Sequence, residues 1–266
     1  MTLDVEPGWW KDLFDEVYLQ TDARSVCDER LTAREVDFIE AALSCDKSSP
    51  VLDLCGGQGR HALELAIRCF ARVTLLDYSE CLIRLGRKKA IREVLKTNFI
   101  RGDARFSGLR SRTFKAVIIM GSSFGYFLDE RENRKMLEET YRLLAPGGEL
   151  LLDLPDRAFV LKQFKPVVSH RVDDDIEVVR TRSHDRDVVY CRETVVSRTR
   201  GCLRDRTYCT RLYGPEQISE LLTGEGFSGI AFQNDFLRRD REGDFGTMTS
   251  RMMVKAQKAP EAAMNK

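Results

Sequence analysis

The chain has 266 residues, with 43 Lys or Arg against 42 Asp or Glu and a formal net charge of +1, so no global attraction to nucleic acid or to an anionic membrane is built into it. Hydrophobic residues make up 42% and charged residues 32%, which suits one large α/β domain with an embellishment. No apolar run approaches the roughly 18 residues that a spanning helix needs, and the opening MTLDVEPGWWKDLF is acidic and aromatic rather than a basic leader, so the expected location is cytoplasmic.

In chain order, WWKDLFDEVYL is amphipathic, and TAREVDFIEAAL places Val36, Ile39, Ala42 and Leu43 at helical spacing. Residues 1–46 are therefore expected to form an N-terminal helical lid. From residue 51 to residue 155 strands and helices alternate: strands at 51–55, 72–77, 97–104, 114–121 and 148–155, helices at about 60–70, 79–95 and 129–145. Short continuous apolar strands separated by helices imply a buried, mostly parallel sheet covered on both faces, a doubly wound α/β architecture. After residue 165 the period changes to two, and IEVVRTRS, DVVYCRETVVSRT and LRDRTYCTRLY are expected to be antiparallel strands of an inserted meander, with a turn at the three aspartates 173–175. A helix, GPEQISELLTGEGF, follows, with Pro215 in its first turn and Gly226 at its C-terminal cap. GIAFQNDF and SRMMVKAQK complete a seven-stranded sheet as an antiparallel hairpin at its edge. The expected division is a lid at 1–46, a core at 47–164 and 214–258, inserted strands at 165–213 acting as a substrate cap or an oligomer contact, and a flexible tail at 259–266. The eight cysteines contain no C-x-x-C pair, which speaks against a zinc site or a disulfide framework.

The stretch VLDLCGGQGRHALELA carries the chemistry. Gly57, Gly59 and Ala62 satisfy G-x-G-x-x-G/A, and Asp77 stands 20 residues after Gly57 at the end of the second strand, where it can accept from ribose hydroxyls. On spacing alone a nicotinamide dinucleotide fits. Asp53, inside the first strand, would instead repel a pyrophosphate and suit a cationic group, and FIRGDA adds a second strand-tip acid, Asp103, beside small Ala104. LLAPGGELLLDL is expected to make a tight turn into the fifth strand, with both glycines free to take positive φ.

Together these segments resemble the class I S-adenosylmethionine-dependent methyltransferases: VLDLCGGQGR is similar to their first motif, LLDYS to the second, GDA to the third, VIIMGSSFGYF to the fourth, and LLAPGGELLLDL to the run into the fifth strand. RLYGPEQISELLTGEGF is similar to a stretch that small-molecule members carry before their terminal hairpin. The resemblance implies a Rossmann-like fold, with S-adenosyl-L-methionine as cofactor. It also implies that Gly56, Gly57 and Gly59 pass close to the methionine moiety, with Asp53 near its ammonium. Asp77 would hold the ribose, Tyr78 would pack on the adenine, and Asp103 and Ala104 would contact its edge. Met120 would line the pocket through its backbone, and Tyr18 would touch the cofactor from the lid.

The methyl acceptor is less legible. No general base stands out; Tyr126, His170 and Tyr213 are the candidates, while His184 reads as a solvated turn residue and His61 as packing beside the loop. The fourth motif, MGSSFGYF, lacks the Asp/Asn-Pro-Pro-aromatic signature of many enzymes that methylate planar amide or base nitrogens. Residues 165–213 hold ten Arg and one Lys against eight acids. That surplus is either a solvated face, or it includes a pair among Arg180, Arg182, Arg192 and Arg206 that grips an anionic group of a small-molecule substrate. The expectation is methyl transfer to nitrogen or oxygen of a small molecule. Modification of RNA or protein, non-catalytic cofactor binding, and a dehydrogenase are the alternatives; the near-zero net charge speaks against nucleic acid.

Overall fold

A computed structural model describes residues 3–236 and 249–260. A single 3₁₀ turn, Trp9–Lys11, precedes α1 (Glu16–Thr21), whose first turn is capped by the Asp15 carboxylate accepting from Val17 N and Tyr18 N. α2 (Ala23–Val26) and α3 (Glu29–Ala42) follow, then β1 (Pro50–Leu54), α4 (Arg60–Ile67), β2 (Arg72–Asp77), α5 (Glu80–Arg92), β3 (Thr97–Arg101), β4 (Phe114–Ile119), α6 (Glu130–Leu143) and β5 (Leu144–Pro155). After α7 (Arg157–Lys162) come β6 (Val167–Arg171), β7 (Ile176–Asp185), β8 (Val188–Ser197) and β9 (Gly201–Arg211); α8 (Pro215–Gly224), β10 (Phe227–Phe236) and β11 (Arg251–Lys258) close the order.

The strands form two sheets. Seven run in the order β10-β11-β5-β4-β1-β2-β3, with β1 to β5 pairing in parallel and β11 antiparallel to both of its neighbours. The other four form an antiparallel sheet, β6-β7-β8-β9. Alternation within the central strands explains the layering: Leu52, Leu54, Val117, Ile119, Leu150 and Leu152 face α6 and α8, whereas Val51, Val73, Leu75, Ala116, Ile118 and Leu151 face α4, α5 and α3. This is the expected doubly wound α/β sheet.

Several expectations are refined. Within the expected lid, α3 belongs to the core, because Val36 and Ile39 are fully buried in the same cluster as Val51 and Val73; only the segment before it lies over the strand ends. Helical continuity through WWKDLFDEVYL is broken at residues 12–15, where the Asp15 side chain caps a new helix instead of extending the old one. α7 and β6 were not foreseen. The expected turn is instead the first part of β5, where only Gly147 has positive φ (+72°); Gly148 is needed for space, since a Cβ there would lie 2.8 Å from the Ala145 carbonyl oxygen. Gly226 takes φ +93° just after α8, as expected. Of the expected tail, residues 261–266 lie outside the described residues. Among the described residues no helix is long and apolar enough to cross a membrane.

Candidate active site

The parallel strands β1, β2 and β4 end on one side of the sheet, and the loops that leave them line a cavity of about 610 Å³. That size is ordinary for a small-molecule site. Two residues next to the strand ends hold left-handed backbone without being glycine, Cys55 (φ +62°) after β1 and Ser122 (φ +57°) after β4, and both line the cavity. Such strain persists where the surrounding structure over-determines it, and it clusters at ligand sites.

Asp77 organises the glycine loop. Its Oδ2 accepts from Gly57 N at 2.7 Å and its Oδ1 from Ser79 N at 2.8 Å, so one carboxylate ties the loop after β1 to the start of α5. Burial pushes its carboxyl above the ordinary range, against the pull of those amides. Because Gly57 turns its N–H to a carboxylate, that amide is not offered to a phosphate. This geometry opposes the dinucleotide reading. Asp53 lies beneath the loop, fully buried, with Oδ2 3.2 Å from Ala62 N and no partner for Oδ1 among the described residues. Burial raises its pKa to about 7. Asp53 is not part of the cavity wall; a Cβ on Gly56 would sit 2.7 Å from its Cγ, so it supports the wall from behind.

Of the other residues singled out in the sequence, Tyr18, Gly56, Gly57, Asp77, Tyr78, Asp103, Ala104 and Met120 line the cavity. Gly59 does not. With φ +81° it precedes α4, and a Cβ there would be 3.2 Å from Leu75 and Phe99, so its task is packing. Asp103 gives both oxygens to Arg105, which donates from its backbone N (2.9 Å), Nε and Nη2 (2.6 Å). Burial alone would raise the Asp103 carboxyl, yet these bonds hold it below its usual value. The Arg105 guanidinium lies 4.4 Å from the Phe127 ring centre and 5.1 Å from that of Trp10.

The catalytic candidates separate. Tyr126 lines the cavity, stacked on Phe14 at 5.6 Å between ring centres, and burial pushes its phenol well above the ordinary range. Tyr213 is corrected: it is buried in the core and bonds Glu130 at 3.0 Å, away from the cavity wall, because its strand-to-helix position faces α6. His170 is corrected too, since its Nε2 lies 3.2 Å from the Thr21 carbonyl and its ring is not part of the wall. His184 sits near the tip of the β7–β8 hairpin, edge-on to Phe164. His61 lines the cavity with Nε2 2.9 Å from Glu35, and burial lowers its pKa to about 4, leaving the imidazole neutral.

The second sheet supplies the far wall. Arg180 and Arg182 face the cavity, whereas Arg192 pairs with Asp205 at 2.6 Å on the exposed face and Arg206 lies 3.7 Å from Glu6. Buried Glu193 joins Arg180 (2.8 Å) to Arg204 (3.1 Å), and Arg180 also pairs with Asp22 (2.8 Å). Trp9, Phe14, Phe127, Tyr208 and Arg60 complete parts of the wall that residue spacing did not single out. Arg60 was legible as the last letter of the glycine motif, but its partner Glu35 comes from a distant helix.

Residues 51–148 match the sequence pattern of a family described as a methyltransferase domain. By that match this stretch is a methyltransferase domain. YqeM of Bacillus subtilis, named for methyltransferase activity, is 26% identical over 243 residues, covering 88% of this chain and 95% of that protein. The ubiquinone/menaquinone biosynthesis C-methyltransferase UbiE of Blochmanniella floridana is 36% identical over 106 residues, and the glycine/sarcosine N-methyltransferase of Parasynechococcus marenigrum is 34% identical over 121; the alignments span only 40% and 42% of those proteins. Among solved structures, an S-adenosylmethionine-dependent methyltransferase from Clostridium acetobutylicum superposes with a TM-score of 0.70 at 17% identity, covering 91% of this chain and 96% of that one. An S-adenosylmethionine-bound aminopentose methyltransferase from Micromonospora echinaspora gives 0.67 at 20% identity, covering 93% and 99%. These likenesses extend the methyltransferase fold beyond the matched domain, over the second sheet as well.

Proposed function

We propose that the chain is an enzyme that moves the methyl group of S-adenosyl-L-methionine to a nucleophilic nitrogen or oxygen of a small molecule. One observation carries the reading: the strand-end residues Gly56, Gly57, Asp77, Tyr78 and Met120 share a single cavity with second-sheet residues Arg182, Val189, Cys191 and Tyr208. A cofactor end and an acceptor end therefore open into each other. The residues present fit such a cofactor. Asp77 keeps lone pairs for ribose hydroxyls beyond the two amides it already accepts. Arg60 presents a buried Nη2 with no partner among the described residues, suited to a carboxylate.

The cofactor supplies a sulfonium-activated methyl group, so this chain's share of the work is positioning and the exclusion of water. The segment before α3 and the inserted strands act as the cap: Trp9, Phe14 and Tyr126 give an apolar wall, with Trp9 and Tyr126 5.2 Å apart between ring centres. The inner face of the second sheet lines the cavity, which favours the cap reading of residues 165–213 over an oligomer contact. Arg182 and Lys165 on the outer wall support an acceptor that carries an anionic group. Tyr126, whose phenol stays protonated, orients the acceptor rather than taking its proton.

Purified protein given labelled cofactor and a metabolite extract is expected to release S-adenosylhomocysteine. A protein that binds the cofactor and releases none is a sensor. Thermal shifts compare S-adenosylhomocysteine with NAD: a ligand at 100 times its dissociation constant stabilises by about 2.7 kcal/mol, and stabilisation by NAD alone refutes the proposal.

A further inference from the structure

Four charged side chains from distant parts of the chain meet behind the cofactor end of the cavity. Arg251 of β11 is fully buried and uses both ends of its guanidinium: Nη1 lies 2.5 Å from Asp153 Oδ2, and Nη2 pairs with Glu35 Oε1. Asp153 Oδ2 also accepts from Gly121 N at 2.8 Å, fixing the turn that leaves β4. The other oxygen of Glu35 takes Arg60 Nη1 and His61 Nε2. Arg60 Nη1 is further held by Thr32 Oγ1 at 3.3 Å. What remains of Arg60 is Nη2, buried and without a partner among the described residues, 3.8 Å from the point where a side chain on Gly121 would begin.

We propose that Arg251 is a positioning residue that aims Arg60 at the carboxylate of the bound cofactor, acting through Glu35, while Asp153 sets the Gly121 turn opposite. The inference rests on the methyltransferase reading and deepens it. A buried guanidinium N–H without an acceptor is costly; Arg251 Nε and Asp153 Oδ1 also lack partners among the described residues, but only Arg60 lines the cavity, so its Nη2 marks where a ligand oxygen belongs. A guanidinium only donates, and a carboxylate is its best-matched partner. Two carboxylates and two guanidinium groups balance with His61 neutral. Removing Arg251 leaves Glu35 and Asp153 competing for Arg60 alone and pulls Nη2 off its line. An apolar residue at 251 would fill the same space without the desolvation cost of a buried ion cluster, so stability is a poor account of this arrangement.

The test is calorimetric binding of S-adenosylhomocysteine and of its decarboxylated analogue, which keeps the amine and lacks the carboxylate, to the full chain. The unaltered protein is expected to prefer S-adenosylhomocysteine by about tenfold or more, the scale of one charge-assisted hydrogen bond. Arg60→Met, Arg251→Met and Glu35→Gln are each expected to erase that preference while changing affinity for the analogue by less than about twofold, and Arg251→Lys to restore part of it. Glu35→Gln keeps the side-chain volume, and it carries the test if Arg251→Met fails to fold. Equal loss of both ligands in the Glu35 and Arg251 variants would show a merely structural role and overturn the proposal, as would an unaltered protein with no preference. If the unaltered protein binds neither ligand, the methyltransferase reading itself falls.

Discussion

Asp53→Asn separates the cost of the buried carboxyl from its use. In the folded chain this group is fully buried, one oxygen has no partner among the described residues, and burial raises its pKa to about 7 from an ordinary 3.8. The native state therefore holds a proton over a range where the unfolded chain has lost it, so stability falls as pH rises between those values. The full shift, about 3 units, is worth about 4 kcal/mol above pH 7. Between pH 5 and pH 8 the remaining part, about 2 units, is about 3 kcal/mol. Asparagine has the same shape: its carbonyl oxygen can take the Ala62 N–H, and nothing in it titrates. Comparing thermal melts of the two ligand-free proteins cancels the pH dependence of groups that do not interact with Asp53; Asp77, which raises the Asp53 carboxyl through like charge, is part of the measured difference. The variant is expected to gain several degrees on the unaltered protein from pH 5 to pH 8. A stability difference that stays constant across this range refutes the buried-acid argument.

Three further substitutions probe the site. Asp77→Ala removes the acceptor for Gly57 N and Ser79 N together with the ribose partner, and is expected to weaken S-adenosylhomocysteine binding by about tenfold or more; unchanged affinity by calorimetry contradicts the role. Gly86→Ala places a Cβ 2.6 Å from the Gln58 carbonyl oxygen and from the Phe99 ring, so α5 must retreat from the glycine loop at about 1–3 kcal/mol; a melting temperature equal to that of the unaltered chain shows that the contact is relieved freely. Tyr126→Phe is expected to lower kcat by less than about tenfold, because its phenol is held protonated and orients rather than accepts; a loss of a hundredfold or more identifies it as a base.

The parallel half of the sheet was legible because each strand is a short apolar run ended by glycine or acid, and because the first turn, the Asp77 strand tip and the Asp103 strand tip fall at fixed spacing. The eight wall residues named from that spacing and from what the family resemblance implies all lie within a few residues of a strand end or in the capped helix α1. Sequence reasoning failed where contacts depend on distant partners. Asp53 was read as lying near the cofactor's ammonium, directly or through water; its side chain sits behind Gly56 and is not part of the cavity wall. Tyr213 and His170 carry groups capable of chemistry, but each is engaged by a neighbour that only folding supplies, Glu130 for one and the Thr21 carbonyl for the other. Arg251, 216 positions along the chain from Glu35, has no local signature at all. α7 and β6 were missed because a six-residue helix and a five-residue edge strand leave too short a period to detect.

The surplus of arginine in the inserted strands shows how charge read along a chain misleads about charge in a cavity. Arg180 and Arg204 face inward, but Glu193 bridges them and Asp22 and Asp15 complete their pairing, so these two cations of the sequence surplus are neutralised within the wall. Asp15 and Asp22 flank α1, which places these ion pairs at the joint between the second sheet and the segment that carries Trp9, Phe14 and Tyr18. The same segment is held to the strand ends by Gln58 Nε2 donating to the Val26 carbonyl at 2.8 Å and by Ser79 Oγ donating to the Phe14 carbonyl at 2.6 Å. Cofactor loops and inserted strands are thus joined through one short stretch of chain whose aromatic side chains form the wall between them. An acceptor seated on that wall would press on the same residues that close over the cofactor. On the proposed function, binding at either end would order the other, and the apolar ring faces, rather than the arginines, would keep water from the transferring methyl group.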